Sequence, residues 1–191
     1  MPGRRRALSF MGQGGRYGRG MTDSGDAGVP SGAILAAITM AGAPSSGEEP
    51  SEAFAEEIAV LVRTWGIPGM TQAFSFLIDV AMTLVEPGSG SPDRVHQVLP
   101  AVLTRLGQTG LPKPLLATMA GALAAAALEE DSWQWRQGLG PLTSGEALAW
   151  CYTAHLLADF IDTIVLGSPG EFTRRVTAIV LAGEEREAPG R

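Results

Sequence analysis

Between Met70 and Val85 nearly every residue is apolar, and the polar exceptions Gln72, Ser75, Asp79 and Thr83 are not scattered. Wound at about 100° per residue, they fall within about 80° of one another. A helix with so narrow a wet stripe cannot stand at a surface. It predicts a central helix that other helices must wrap, and the remaining sequence has to supply them.

It does so with helical spacing throughout. Phe54, Ile58, Leu61, Val62 and Trp65 line one face of a helix that should end before Gly66 and Pro68. Val95, Val98, Leu99, Val102, Leu103 and Leu106 line another, opened by the start signal Ser91-Pro92-Asp93 and interrupted by Pro100, where a kink or break is expected. Strong helix formers predict a further helix from 114 to 129. Two late helices, at about 144 to 166 and 169 to 182, begin at the capping-box pairs Thr143/Glu146 and Ser168/Glu171 and end at Gly167 and Gly183. No run alternates as a strand does, and no fixed-period repeat is present. The expected fold is all-α: a compact bundle of about six helices, with room for a short one at 33–41.

The organisation follows from composition. Residues 1–30 read as a disordered basic tail rich in Gly and Arg, 31–50 as a short apolar segment and linker, 51–183 as the helical domain, and 184–191 as a solvated C-terminal tail. Met11 and Met21 are alternative starting points for translation. The net charge of −6 is uneven: five arginines and no acid in residues 1 to 20 leave nine bases against twenty acids in the rest. So acidic a body repels nucleic acid, and only the tail around Arg16 and Arg19 offers an Arg-Gly pattern suited to RNA. The lone Cys151 makes no internal disulfide, which fits a cytoplasmic protein. The apolar stretches 73–85 and 114–128 are shorter than the roughly 20 residues a membrane span needs. The segment 147–166 is long enough but carries His155, Asp159 and Asp162, so no membrane partner is expected.

One segment raises a chemical question. In WCYTAHLLADFID, residues 150–162, a helical wheel with Cys151 at zero puts Asp162 near 20°, His155 near 40° and Asp159 near 80°. The opposite arc is apolar, so the helix reads as amphipathic with these four on its polar side. A thiol one turn from an imidazole that is itself one turn from a carboxylate could be an activated nucleophile. The same set could offer metal ligands, although a closed zinc site wants four. No H-E-x-x-H, paired C-x-x-C or G-x-S-x-G accompanies them, and no catalytic, metal or cofactor assignment follows. Trp133 and Trp135, in the polar link EEDSWQWRQGLGPL, either cap the core or mark a contact with a partner.

The leading functional expectation is a non-enzymatic helical module for protein interaction or assembly, with a protein partner or a second copy of the chain. The alternatives are an enzyme or ligand- or metal-binding protein that uses the Cys151/His155/Asp159/Asp162 face, and nucleic-acid contact through the N-terminal tail.

Overall fold

The computed structural model describes residues 29–42, 52–85, 95–143 and 145–187. The tail around Arg16 and Arg19 and the Ser91-Pro92-Asp93 signal lie outside them. Among the described residues the fold is all-α, as the periodicities require: α1 (Ser31–Ala41), α2 (Glu52–Val85), α3 (Val95–Gly107), α4 (Lys113–Ala127), α5 (Ser132–Gln137), α6 (Glu146–Phe160) and α7 (Glu171–Glu187). A six-residue π-helical turn, Ile161–Leu166, prolongs α6.

The second half of α2 is the central element. Met70, Ala73, Phe74, Leu77, Ile78, Ala81, Met82 and Val85 are buried on it, and so are Thr71 and Ser75. Its main partner is α6, with α1, α4 and α5 packed around the rest. The two runs read from the sequence, 54–65 and 70–85, are joined end to end through Gly66, whose φ of 74° and ψ of 161° belong to a region open essentially only to glycine. Pro68 then starts the second run, where a missing backbone N–H costs nothing. By length and composition Phe54–Val85 could cross a membrane, but 56% of its most apolar window is buried inside the fold.

Three boundaries differ from expectation. The helix α3 runs unbroken through Pro100; the ring removes one backbone bond in the middle of a helix whose Val98, Val102 and Leu106 anchor it in the core. The link after α4 contains α5, capped by Asp131, whose side chain accepts from the Gln134 N–H at 2.9 Å. Gly183 does not stop α7, whereas Gly167, at φ 65°, ends the π-helical turn in the left-handed conformation expected of it.

The short apolar segment before residue 50 is fully part of the bundle. Ala33, Ala37, Ile38, Met40 and Ala41 of α1 are buried in the same core cluster as α2 and α6. By covering a second side of α6, α1 helps to bury most of Glu146–Phe160, with Leu148, His155, Asp159 and Phe160 partly exposed.

Candidate functional site

The four side chains on the expected polar side of α6 do not converge; each is taken up by a different neighbour. Cys151 is fully buried, and burial pushes its thiol far up, away from the thiolate that nucleophilic chemistry or metal binding needs. His155 is half-buried, and its Nδ1 lies 2.8 Å from the Ala41 carbonyl oxygen, so this nitrogen donates to the last turn of α1. Phe54 meets the imidazole edge-on at 6.5 Å and stacks on Tyr152 at 5.5 Å. Asp159 turns outward to pair with Arg105 of α3 at 2.6 Å, with both side chains well exposed. Asp162 reaches forward to the start of α7, where its two oxygens accept the Gly170 and Phe172 N–H groups, each at 2.7 Å. The face therefore does not gather into one site: Cys151 is buried, Asp159 meets Arg105 of α3 at the surface, and His155 and Asp162 tie α6 to α1 and α7.

That cap replaces the expected Ser168/Glu171 box. Glu171 instead takes Arg174 and Arg175 within its own helix, at 2.6 and 2.7 Å, and these bonds lower its carboxyl to about 2. At α6 the capping box is half formed: Glu146 Oε1 accepts the Thr143 N–H at 2.9 Å, while the Thr143 hydroxyl donates to the same oxygen at 3.1 Å.

The two tryptophans part company. Trp135 is half-buried on α4, its ring lying where a side chain at position 121 would be, and the absence of one at Gly121 makes that approach possible. Trp133 is also half-buried and lines a shallow recess of about 260 Å³ with Pro68, Arg136, Gln137, Gly140 and Leu142. Its indole N–H is buried without an acceptor.

Three further features are visible only in the fold. Arg136 and Glu146 form a buried ion pair between α5 and α6. Asp79 of the narrow stripe on α2, a candidate to face the Cys151/His155 side of α6, instead faces α5, with its Oδ1 buried and unpartnered. A groove of about 320 Å³ runs between α1 and α2, lined by Ala36, Thr39, Met40, Glu57, Val60 and Leu61. Among the described residues no three His, Cys, Asp or Glu side chains gather where a metal ion could sit. Compared with family models, curated proteins and solved structures, the chain matches none.

Proposed function

We propose that this protein is a non-enzymatic helical module that binds another polypeptide in the cytoplasm, and that the contact is made along the α1–α2 groove. The observation that carries the reading is apolar surface left uncovered beside α1, at Val60 in the groove and at Trp65 further along α2. Val60, 47% exposed, lines the groove one turn from Glu57, and Trp65, 36% exposed, follows one turn beyond Leu61 with its ring against Gly32 of α1. An amphipathic helix offering apolar side chains at i, i+3, i+4 and i+7 is the complementary shape. Trp65 is a suitable anchor, because its ring already rests rigidly against Gly32 of α1 and loses little freedom on binding. The chemistry-bearing residues of 151–162 support the same reading from the other side, since each is engaged with a different part of the fold and they do not converge on one site.

The test is a photo-crosslinking residue at position 60 of the full chain in its native cells. A discrete adduct, either with one other protein or with a second copy, that disappears when Trp65 is changed to Glu supports the proposal. Absence of any adduct from a folded chain that sediments as a monomer overturns it.

A further inference from the structure

Two hydroxyls of the polar stripe on α2 are satisfied within the helix. Ser75 Oγ donates to the Gln72 carbonyl at 2.8 Å and Thr83 Oγ1 to the Val80 carbonyl at 2.7 Å. Asp79 has no such outlet, and its Oδ1 is buried without a donor. The element laid over it is α5. Ser132, the fully buried first residue of α5, points its hydroxyl and N–H toward the Asp79 carboxyl, and the hydroxyl also reaches the Ser75 carbonyl at a stretched 3.4 Å. One hydroxyl proton cannot serve both acceptors fully.

Among the described residues no cation is recorded beside Asp79. Asp131, the N-cap of α5, adds charge of the same sign. On α5, Arg136 is committed to Glu146, the charge of α4 is confined to its exposed first residue Lys113, and α1 carries none at all. On α6, Glu146 belongs to that pair, His155 to Ala41 and Asp159 to Arg105 of α3. On α7, Arg174 and Arg175 are held by Glu171. A carboxylate here has one oxygen buried without a donor, whereas a neutral carboxyl carries no charge to compensate and still accepts from Ser132.

We propose that α5 is a proton-operated latch: protonated Asp79 holds the start of α5 on α2, and ionised Asp79 releases it and uncovers Trp133. The geometry suits a latch. At its far end α5 is pinned by the Arg136–Glu146 pair, and on either side the chain passes through left-handed residues, Glu129 at φ 59° and Gly140 at φ 99°. Its near end therefore swings while its far end stays fixed. Burial pushes the Asp79 carboxyl up to about 7, Ser132 opposing and Asp131 reinforcing the shift. Released into water, the carboxyl returns to the ordinary range near 4. The closed form thus holds the proton more tightly. Opening increases with pH between about 4 and 7 and levels off above, where both forms are ionised. The latch is independent of what the α1–α2 groove binds.

Hydrogen exchange of the full-length chain, followed by mass spectrometry from pH 5 to 8.5 and corrected for intrinsic exchange, tests this. In residues 132–135 the open population should grow by up to about tenfold per pH unit below 7 and then level off, while core residues of α2 and α6 show no such step. Asp79→Asn should remove the step. The proposal is overturned if the step is missing in the natural chain or survives in Asp79→Asn. The Ser132 amide resonance of the natural chain gives a second reading that needs no variant: a titration centred near pH 7 is expected, and a flat response from pH 5 to 8 overturns the latch.

Discussion

Arg136 and Glu146, ten residues apart, close a buried ion pair across the link between α5 and α6, each side chain 4% exposed. Nη2 of the arginine lies 2.6 Å from Oε1 of the glutamate and Nε bonds its other oxygen. The remaining guanidinium donors take the Gly140 carbonyl at 2.8 Å and the Pro141 carbonyl at 3.1 Å. A loop that would otherwise leave its carbonyls unpaired is thus organised by one side chain. Arg136→Met should cost about 3–5 kcal/mol in urea unfolding, because it strands a buried carboxylate. The double variant Arg136→Met/Glu146→Leu should recover most of that loss. Burial alone would raise the Glu146 carboxyl, but Arg136 and Thr143 outweigh it and hold the group below its usual range. Its contribution is therefore present above the unfolded carboxyl range and lost as pH falls through the folded one. Glu146→Gln should flatten the acid limb of the stability profile relative to the natural chain.

Gly121→Ala makes an opposite prediction from the usual helix rule. Alanine normally stabilises a helix interior by about 0.5–1 kcal/mol over glycine. At position 121 a Cβ would overlap Cη2 and Cζ2 of Trp135, so the indole would have to leave its seat on α4. A loss of roughly 1–3 kcal/mol is expected, with a changed near-ultraviolet circular dichroism spectrum. Gly183→Ala is the control. Nothing lies within 4 Å of its Cβ position, so it should raise the melting temperature. A stabilised Gly121→Ala protein with an unchanged aromatic spectrum would show that Trp135 does not pack there.

The long periodic runs were legible because burial of one face repeats along the chain, and the narrow stripe on α2 identified the central helix correctly. The six residues of α5 are too few to display that repeat, so only the Asp131 cap could have revealed it. The polar side of α6 was misread for a different reason. Cys151 and Tyr152 are buried because α1 and α2 cover that side, and no pattern within 150–162 says how many neighbours a helix will have. Two acids competed to cap α7. The choice of Asp162 over the Ser168/Glu171 box depends on the π-helical turn, which changes the pitch of 161–166 in a way that side-chain periodicity does not announce. Arg136 pairs with Glu146 rather than with the acids 129–131 because the link doubles back, a tertiary fact.

Cys151 should behave as a core residue. With no exposure and its thiol pushed far up, alkylation of the native protein at pH 8 should proceed only as fast as the chain opens, and should accelerate in urea in step with unfolding. Added zinc should leave the rate unchanged. Rapid labelling of the folded chain, read by mass spectrometry, would contradict the burial of this thiol. Cys151→Ser should destabilise by roughly 1–3 kcal/mol, since a hydroxyl placed there must find an acceptor inside the core.

Asp159 and Asp162 sit one turn apart and should respond very differently to removal. Asp159 pairs with Arg105 in full view of solvent, where side-chain entropy and salt offset the attraction. Asp159→Ala should therefore shift stability by about 0.5 kcal/mol or less, and less still in high salt. Asp162 accepts two backbone N–H groups at the start of α7 that have no helical partner of their own. Asp162→Ala should cost about 1–2 kcal/mol and speed hydrogen exchange at Gly170 and Phe172, with Asp162→Asn intermediate because one amide oxygen can cap only one of them well. Equal losses at the two positions would mean that the cap contributes no more than an exposed ion pair. The α6–α7 junction would then have to be held by Phe172 and Val176 in the core alone.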